Sequence, residues 1–229
     1  MNKCTYRSSL NKIEFIEDEQ EEWRHKWDLD VMYYDIISPC RTVPLNKVKR
    51  ALNLAMTTWD LEIPVKFKSN WNNYRVDKSN ITISFKNSDE DHYFRDRPSV
   101  LAYAYFPGQG NVSGQVVFND DYIWSTNGKP ISGKKAKEEG WVENAQDSSS
   151  LRTYNIIHVL IHELGHSLGL RHDAHKDSKD VMDAYYSGKL ELSSYDISRI
   201  REKYGVRMWR RWNWYTIVKR AVARMKLRL

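Results

Sequence analysis

Two periods of apolar residues run along the chain. Between positions 45 and 59 the apolar residues Val48, Leu52, Ala55, Met56 and Trp59 recur three or four apart, which predicts an amphipathic helix. Residues 81–85 (I-T-I-S-F) alternate with period two, and residues 31–37 (V-M-Y-Y-D-I-I) and 100–105 (V-L-A-Y-A-Y) are rich in β-branched and aromatic side chains, so all three read as strands. Residues 115–118 predict a further strand, joined to 100–105 by a loop containing Pro107 and Gly108. An apolar run over 156–168 predicts a buried helix, and 193–204 a last helix stopped by Gly205. Residues 125–150 read as a long polar connection. Residues 1–23 read as a polar extension with acids at Glu17, Asp18, Glu19, Glu21 and Glu22. No internal repeat is present.

A chain of 229 residues with 41% apolar and 13% aromatic content suits one domain with additions and a sizeable core. It contains no apolar run long enough for a membrane-spanning helix, and its opening lacks the apolar stretch of a secretion signal. Two cysteines, Cys4 and Cys40, cannot form a disulfide framework; two free thiols are expected. The net charge of +6 is unevenly placed, because residues 203–229 carry nine Lys or Arg and no acid, leaving −3 on the rest.

The chemistry concentrates in residues 162–172, H-E-L-G-H-S-L-G-L-R-H. On a helix, His162 and His166 stand one turn apart on one face and can share one metal ion. Glu163 is too close in sequence to His162 to join the same ligand set, and it is placed to contact a water in the fourth position. Gly169 can adopt the positive φ that ends a helix, so the chain reverses and returns His172 as third ligand. This long zincin pattern predicts one catalytic Zn2+ and a hydrolase, with Glu163 as general base. His158 shares the helix face, but a fourth histidine would close the open position that catalysis needs. From the residues alone it reads as a core histidine bonded to backbone.

Residues 207–229 place Trp214, Val218, Ala221, Val222, Met225 and Leu229 on one helical stripe and basic residues on the rest. That pattern predicts binding to an anionic membrane surface ahead of nucleic acid, with docking onto the domain as the alternative.

Beyond the zinc motif, the chain resembles the metzincin peptidases, and within them the matrixins or matrix metalloproteinases. K-W-D-L-D-V-M-Y-Y-D-I-I resembles the family's opening strand, the helix ending in Thr58-Trp59 its first helix, V-L-A-Y-A-Y-F-P-G-Q-G its substrate-edge strand, and residues 192–205 its closing helix. The resemblance implies an α+β zincin-like fold: a twisted, mostly parallel sheet with an antiparallel edge strand, a zinc-site helix and a C-terminal helix. It implies a catalytic domain over 24–205 between an extension at 1–23 and a tail at 206–229. It also implies a zinc endopeptidase acting on protein or peptide substrates; the family is extracellular, which leaves the compartment of this chain open without a visible secretion signal, and a monomer is expected. Substrates would lie as an antiparallel strand along Leu101, Ala102, Tyr103 and Ala104, with His158 and Tyr186 lining the pocket. Met182 would be the methionine beneath the metal, and Asp196 the aspartate bracing it.

Departures from the family pattern qualify this. Tyr103 and Val117 stand where the family has structural-zinc histidines, which argues against a second zinc, and Tyr103 is expected as an outward residue of the edge strand. F-N-D-D-Y at 118–122 replaces F-D-D-D-E, which weakens a calcium site. No P-R-C-G cysteine switch precedes the domain, so activity without processing is expected. The rival reading is a catalytically silent member of the fold, acting through its basic tail.

Overall fold

The structure is a computed structural model that describes residues 3–7, 25–71, 78–173 and 180–207. The acidic cluster at 17–22 and the tail beyond Arg207 lie outside the described residues.

The elements run β1 (Lys3–Arg7), β2 (Val31–Ile36), α1 (Leu45–Asp60), β3 (Lys66–Ser69), β4 (Ile81–Lys86), α2 (His92–Asp96), β5 (Val100–Tyr105), β6 (Gln115–Asn119), α3 (Gly133–Glu138), α4 (Ile156–Ser167) and α5 (Ser194–Tyr204). One sheet has the order β1-β5-β6-β4-β2-β3. Strands β3, β2, β4 and β6 are mutually parallel, and β5 runs antiparallel to β6. Parallel neighbours need a crossover, and α1 supplies the one between β2 and β3. The α+β fold with its mixed, mostly parallel sheet agrees with the reading from sequence.

α1 buries Val48, Ala51, Leu52, Ala55, Met56 and Trp59, the stripe its periodicity predicts. That stripe packs on α4, which in turn packs on β5 and β6. β5 divides its side chains by the alternation of a strand: Ala102 and Ala104 enter the main core, while Tyr103 and Tyr105 enter a second cluster with Phe94, Val100 and Val117.

Several elements escaped the sequence pattern because they are too short to show a period. β3 has four residues and α2 five, and α3 with its cap Ser132 lies inside the stretch read as a polar connection. β1 lies within the polar extension and pairs antiparallel with β5. The expectation for Tyr103 is corrected. It is 3% exposed rather than outward-facing, because α2 brings Tyr93 and Phe94 against its ring, and its hydroxyl donates to Asp91 Oδ2 at 2.5 Å. Arg207, assigned to the tail, is bonded to the domain at Asp60 Oδ1 and to the carbonyls of Ile63 and Val65.

Trp59 joins the two central helices, fully buried and donating its indole N–H to Ile161 O at 3.0 Å. Trp59→Ala should cost about 3–5 kcal/mol of stability, read as a lower denaturant midpoint at unchanged slope. A loss under about 1 kcal/mol would show that this contact does not hold the helices together.

Candidate metal centre

α4 starts where the Asn155 side chain accepts from Ile157 N at 2.9 Å, and all 12 of its residues are buried. Its length is set by Gly169, whose φ of 92° lets the turn close through Gly169 N to His166 O and Leu170 N to Gly165 O. The carbonyls left over at the helix end find distant donors: Trp27 Nε1 bonds Ser167 O at 2.8 Å and the Tyr204 hydroxyl bonds Leu168 O at 3.0 Å.

The turn gathers three histidines. His166 Nε2 lies 2.9 Å from His162 Nε2 and 3.2 Å from His172 Nε2, and one ligand atom from each ring falls within 4.8 Å of the others. Second contacts fix the tautomers of two rings: His162 Nδ1 faces Val181 O and His166 Nδ1 faces Leu170 O, both at 2.7 Å. A carbonyl only accepts, so each Nδ1 carries the proton and each Nε2 presents a lone pair. Burial, followed by the neighbouring imidazoles, holds both rings well below the usual histidine pKa, so they are neutral. Facing lone pairs repel unless a cation lies between them. Tetrahedral zinc with Zn–N bonds of about 2.0–2.1 Å sets its ligand nitrogens about 3.3 Å apart, so this donor set fits zinc.

Glu163, next to His162 on α4, is buried, and among the described residues neither carboxylate oxygen has a hydrogen-bond partner. Burial raises its carboxyl well above the usual range. Fourteen and fifteen residues upstream of Asp196, Met182 and Val181 complete the support. The Met182 sulfur lies 2.3 Å from where a Cβ on Gly165 would stand, so a side chain there would force Met182 to shift under the helix. Asp196 accepts from Val181 N at 2.9 Å, Met182 N at 3.4 Å and Ser193 N at 2.9 Å. It therefore joins the capping box of α5 to the segment whose Val181 carbonyl orients His162.

The other residues singled out from sequence fall in two places. Leu101, Ala102, Tyr103 and Ala104 lie on β5, the strand against α4. His158 and Tyr186 meet at the start of α4 with ring centroids 5.0 Å apart. There His158 Nδ1 bonds the Lys189 carbonyl, and Asn155 N donates to the Tyr186 hydroxyl at 2.9 Å. Burial lowers the His158 pKa to about 4, so this ring too is neutral. Trp27, Tyr204 and Phe106, whose ring stands edge-on to His166 at 5.8 Å, were not singled out. Their only sequence signal is an aromatic residue far from the motif.

A model of the matrixin family matches residues 22–205. The chain belongs to the matrixins. Matrilysin from Felis catus is 33% identical over 197 residues, which cover 83% of this chain and 64% of that protein. Matrilysin from Homo sapiens is 32% identical over 189 residues, covering 80% and 60%, and matrix metalloproteinase-26 from Homo sapiens is 29% identical over 186 residues, also covering 80% and 60%. This matrixin thus spans 60–64% of the length of the two matrilysins.

Removing the Asp196 carboxylate strands three backbone N–H groups and releases the Val181 carbonyl. Asp196→Ala should weaken zinc binding by roughly 10–100-fold in competition with a chelator. Affinity equal to that of the parent protein would exclude Asp196 from the support of the metal site.

Proposed function

We propose that this matrixin is a zinc-dependent metalloendopeptidase that hydrolyses peptide bonds in extended protein segments. The observation that carries the reading is the buried Glu163 carboxylate, without a hydrogen-bond partner among the described residues and next in sequence to the first of three histidines whose ligand atoms converge. His162, His166 and His172 would hold one zinc ion, which when bound supplies Lewis acidity and brings the pKa of a coordinated water near 7. Glu163 takes the proton of the attacking water and delivers it to the departing amine. The Leu170 and Val181 carbonyls keep two imidazoles in the tautomer that leaves Nε2 free for the metal.

Substrate binds extended along Leu101, Ala102, Tyr103 and Ala104, whose backbone gives affinity, while His158 and Tyr186 shape a polar pocket. A single metal suffices. Where the family carries its second set of histidines, Tyr103 and Val117 face each other in an apolar cluster. In the segment aligned with the calcium site, Asp120 is committed to Arg41 N at 2.9 Å. A catalytically silent protein working through its tail has no use for a buried carboxylate left without a partner.

Glu163→Ala leaves every proposed ligand in place. The variant should keep about one equivalent of zinc and lose at least roughly 100-fold in hydrolysis of a peptide library. Chelation should abolish hydrolysis by the parent chain, and added zinc should restore it. Unchanged hydrolysis by the variant would end this reading.

A further inference from the structure

The substrate strand proposed above has a resident. Lys3–Arg7 lie antiparallel to β5, with Lys3 opposite Tyr105, Cys4 opposite Ala104, Thr5 opposite Tyr103, Tyr6 opposite Ala102 and Arg7 opposite Val100, the register shifting between Tyr6 and Arg7. The other edge of β5 is taken by β6. A strand has two edges, so with β1 in place no further strand can add to β5. β1 also lies against α4, the helix that carries His162, Glu163 and His166.

We propose that residues 3–7 are a tethered occupant of the substrate edge, so that the protein competes with its own substrates through backbone pairing. The inference rests on β5 being the substrate edge, and it differs from the unprocessed activity expected from the missing cysteine switch. The tether allows the pairing within one chain. His25 Nδ1 bonds Pro107 O, just beyond the end of β5, while Arg7 lies opposite Val100 at its start. That return is about 23 Å of strand, and the linker over residues 8–24 can span up to roughly 60 Å. A short tether also gives millimolar-scale effective concentration, at which a weak five-residue strand competes with dilute substrate.

Self-competition has a kinetic signature. Substrate binds only the open form, so closure raises KM by the reciprocal of the open fraction and leaves kcat unchanged. Four proteins separate the explanations: the full chain, a deletion of residues 1–9, the double variant Cys4→Pro/Thr5→Pro, and Cys4→Ser. Adjacent prolines in β1 remove at least one ladder N–H, whichever residue faces β5. With a short fluorogenic peptide, the deletion and the double variant should lower KM about tenfold at constant kcat, as for an edge closed about 90% of the time. Cys4→Ser should match the full chain. Equal KM across all four proteins would overturn the proposal. So would a Cys4→Ser effect as large as the deletion, which would assign latency to the thiol. A KM that rises with enzyme concentration would overturn it too, by placing the strand of a second copy on β5.

A second measurement does not depend on hydrolysis. A fluorescent peptide of residues 1–9 carrying Cys4→Ser should bind the deletion protein and not the full chain, read by anisotropy. Binding to neither, or to both equally, overturns the proposal. Loss of hydrolysis in all four proteins alongside selective peptide binding would instead overturn the peptidase reading and leave the strand in its groove.

Discussion

Everything at the candidate metal centre depends on the complete burial of α4. A helix covered on every side cannot send its polar side chains to water, so each must bond protein, hold a ligand, or stand unpaired at a cost in stability. The covers are identifiable: β5 and β6 beneath, α1 through Trp59 alongside, the Met182 sulfur at Gly165, and Trp27 and Tyr204 over the last carbonyls. Within that enclosure Ser167 bonds back to Glu163 O, and His162 and His166 each reach a carbonyl. The three imidazoles converge on one point, and the Glu163 carboxylate has no hydrogen-bond partner among the described residues, an arrangement suited to a metal and a water.

The supporting shell is built from segments that also hold the fold together. Asp196 completes the capping box of α5 and binds the backbone of Val181 and Met182 with the same carboxylate. Helix α5 therefore starts at a fixed distance from the loop that orients His162. Gly169 acts in a similar way: one residue with positive φ ends α4, lets Leu170 O reach His166, and turns His172 inward. Small local choices thereby set the ligand geometry, and the core around them keeps it from relaxing.

The opposite face of β5 shows a different solution to burial. Tyr103, Tyr105, Phe94, Val100 and Val117 form an apolar cluster, and the Tyr103 hydroxyl is tied to Asp91, which also caps α2 through Tyr93 N. Burial, then the bond and charge of Asp91, pushes the Tyr103 hydroxyl far above its usual pKa, so it remains a donor. Aromatic packing and the charge-assisted hydrogen bond from Tyr103 to Asp91 brace β5 from behind.

The candidate zinc ligands, the candidate base and the long elements were legible in the sequence, because each is local: a spacing of four on a helix, a glycine after the helix, a stripe repeating every three or four residues; Met182 was reached only through the family resemblance. β3, α2 and α3 were not, since four to six residues hold too little period to stand above the background. Tyr103 reads as an edge residue until α2 covers it, and Trp27 and Tyr204 carry no sign that they close a helix some 140 and 36 residues away. The pairing of β1 with β5 lay furthest out of reach, because strand partners are chosen by free edges in three dimensions and a polar pentapeptide shows no preference for one edge over another. The sequence by itself determined which atoms can bind and activate; only the tertiary structure decided which of them are dry, which are already paired, and what lies along the strand where a substrate would go.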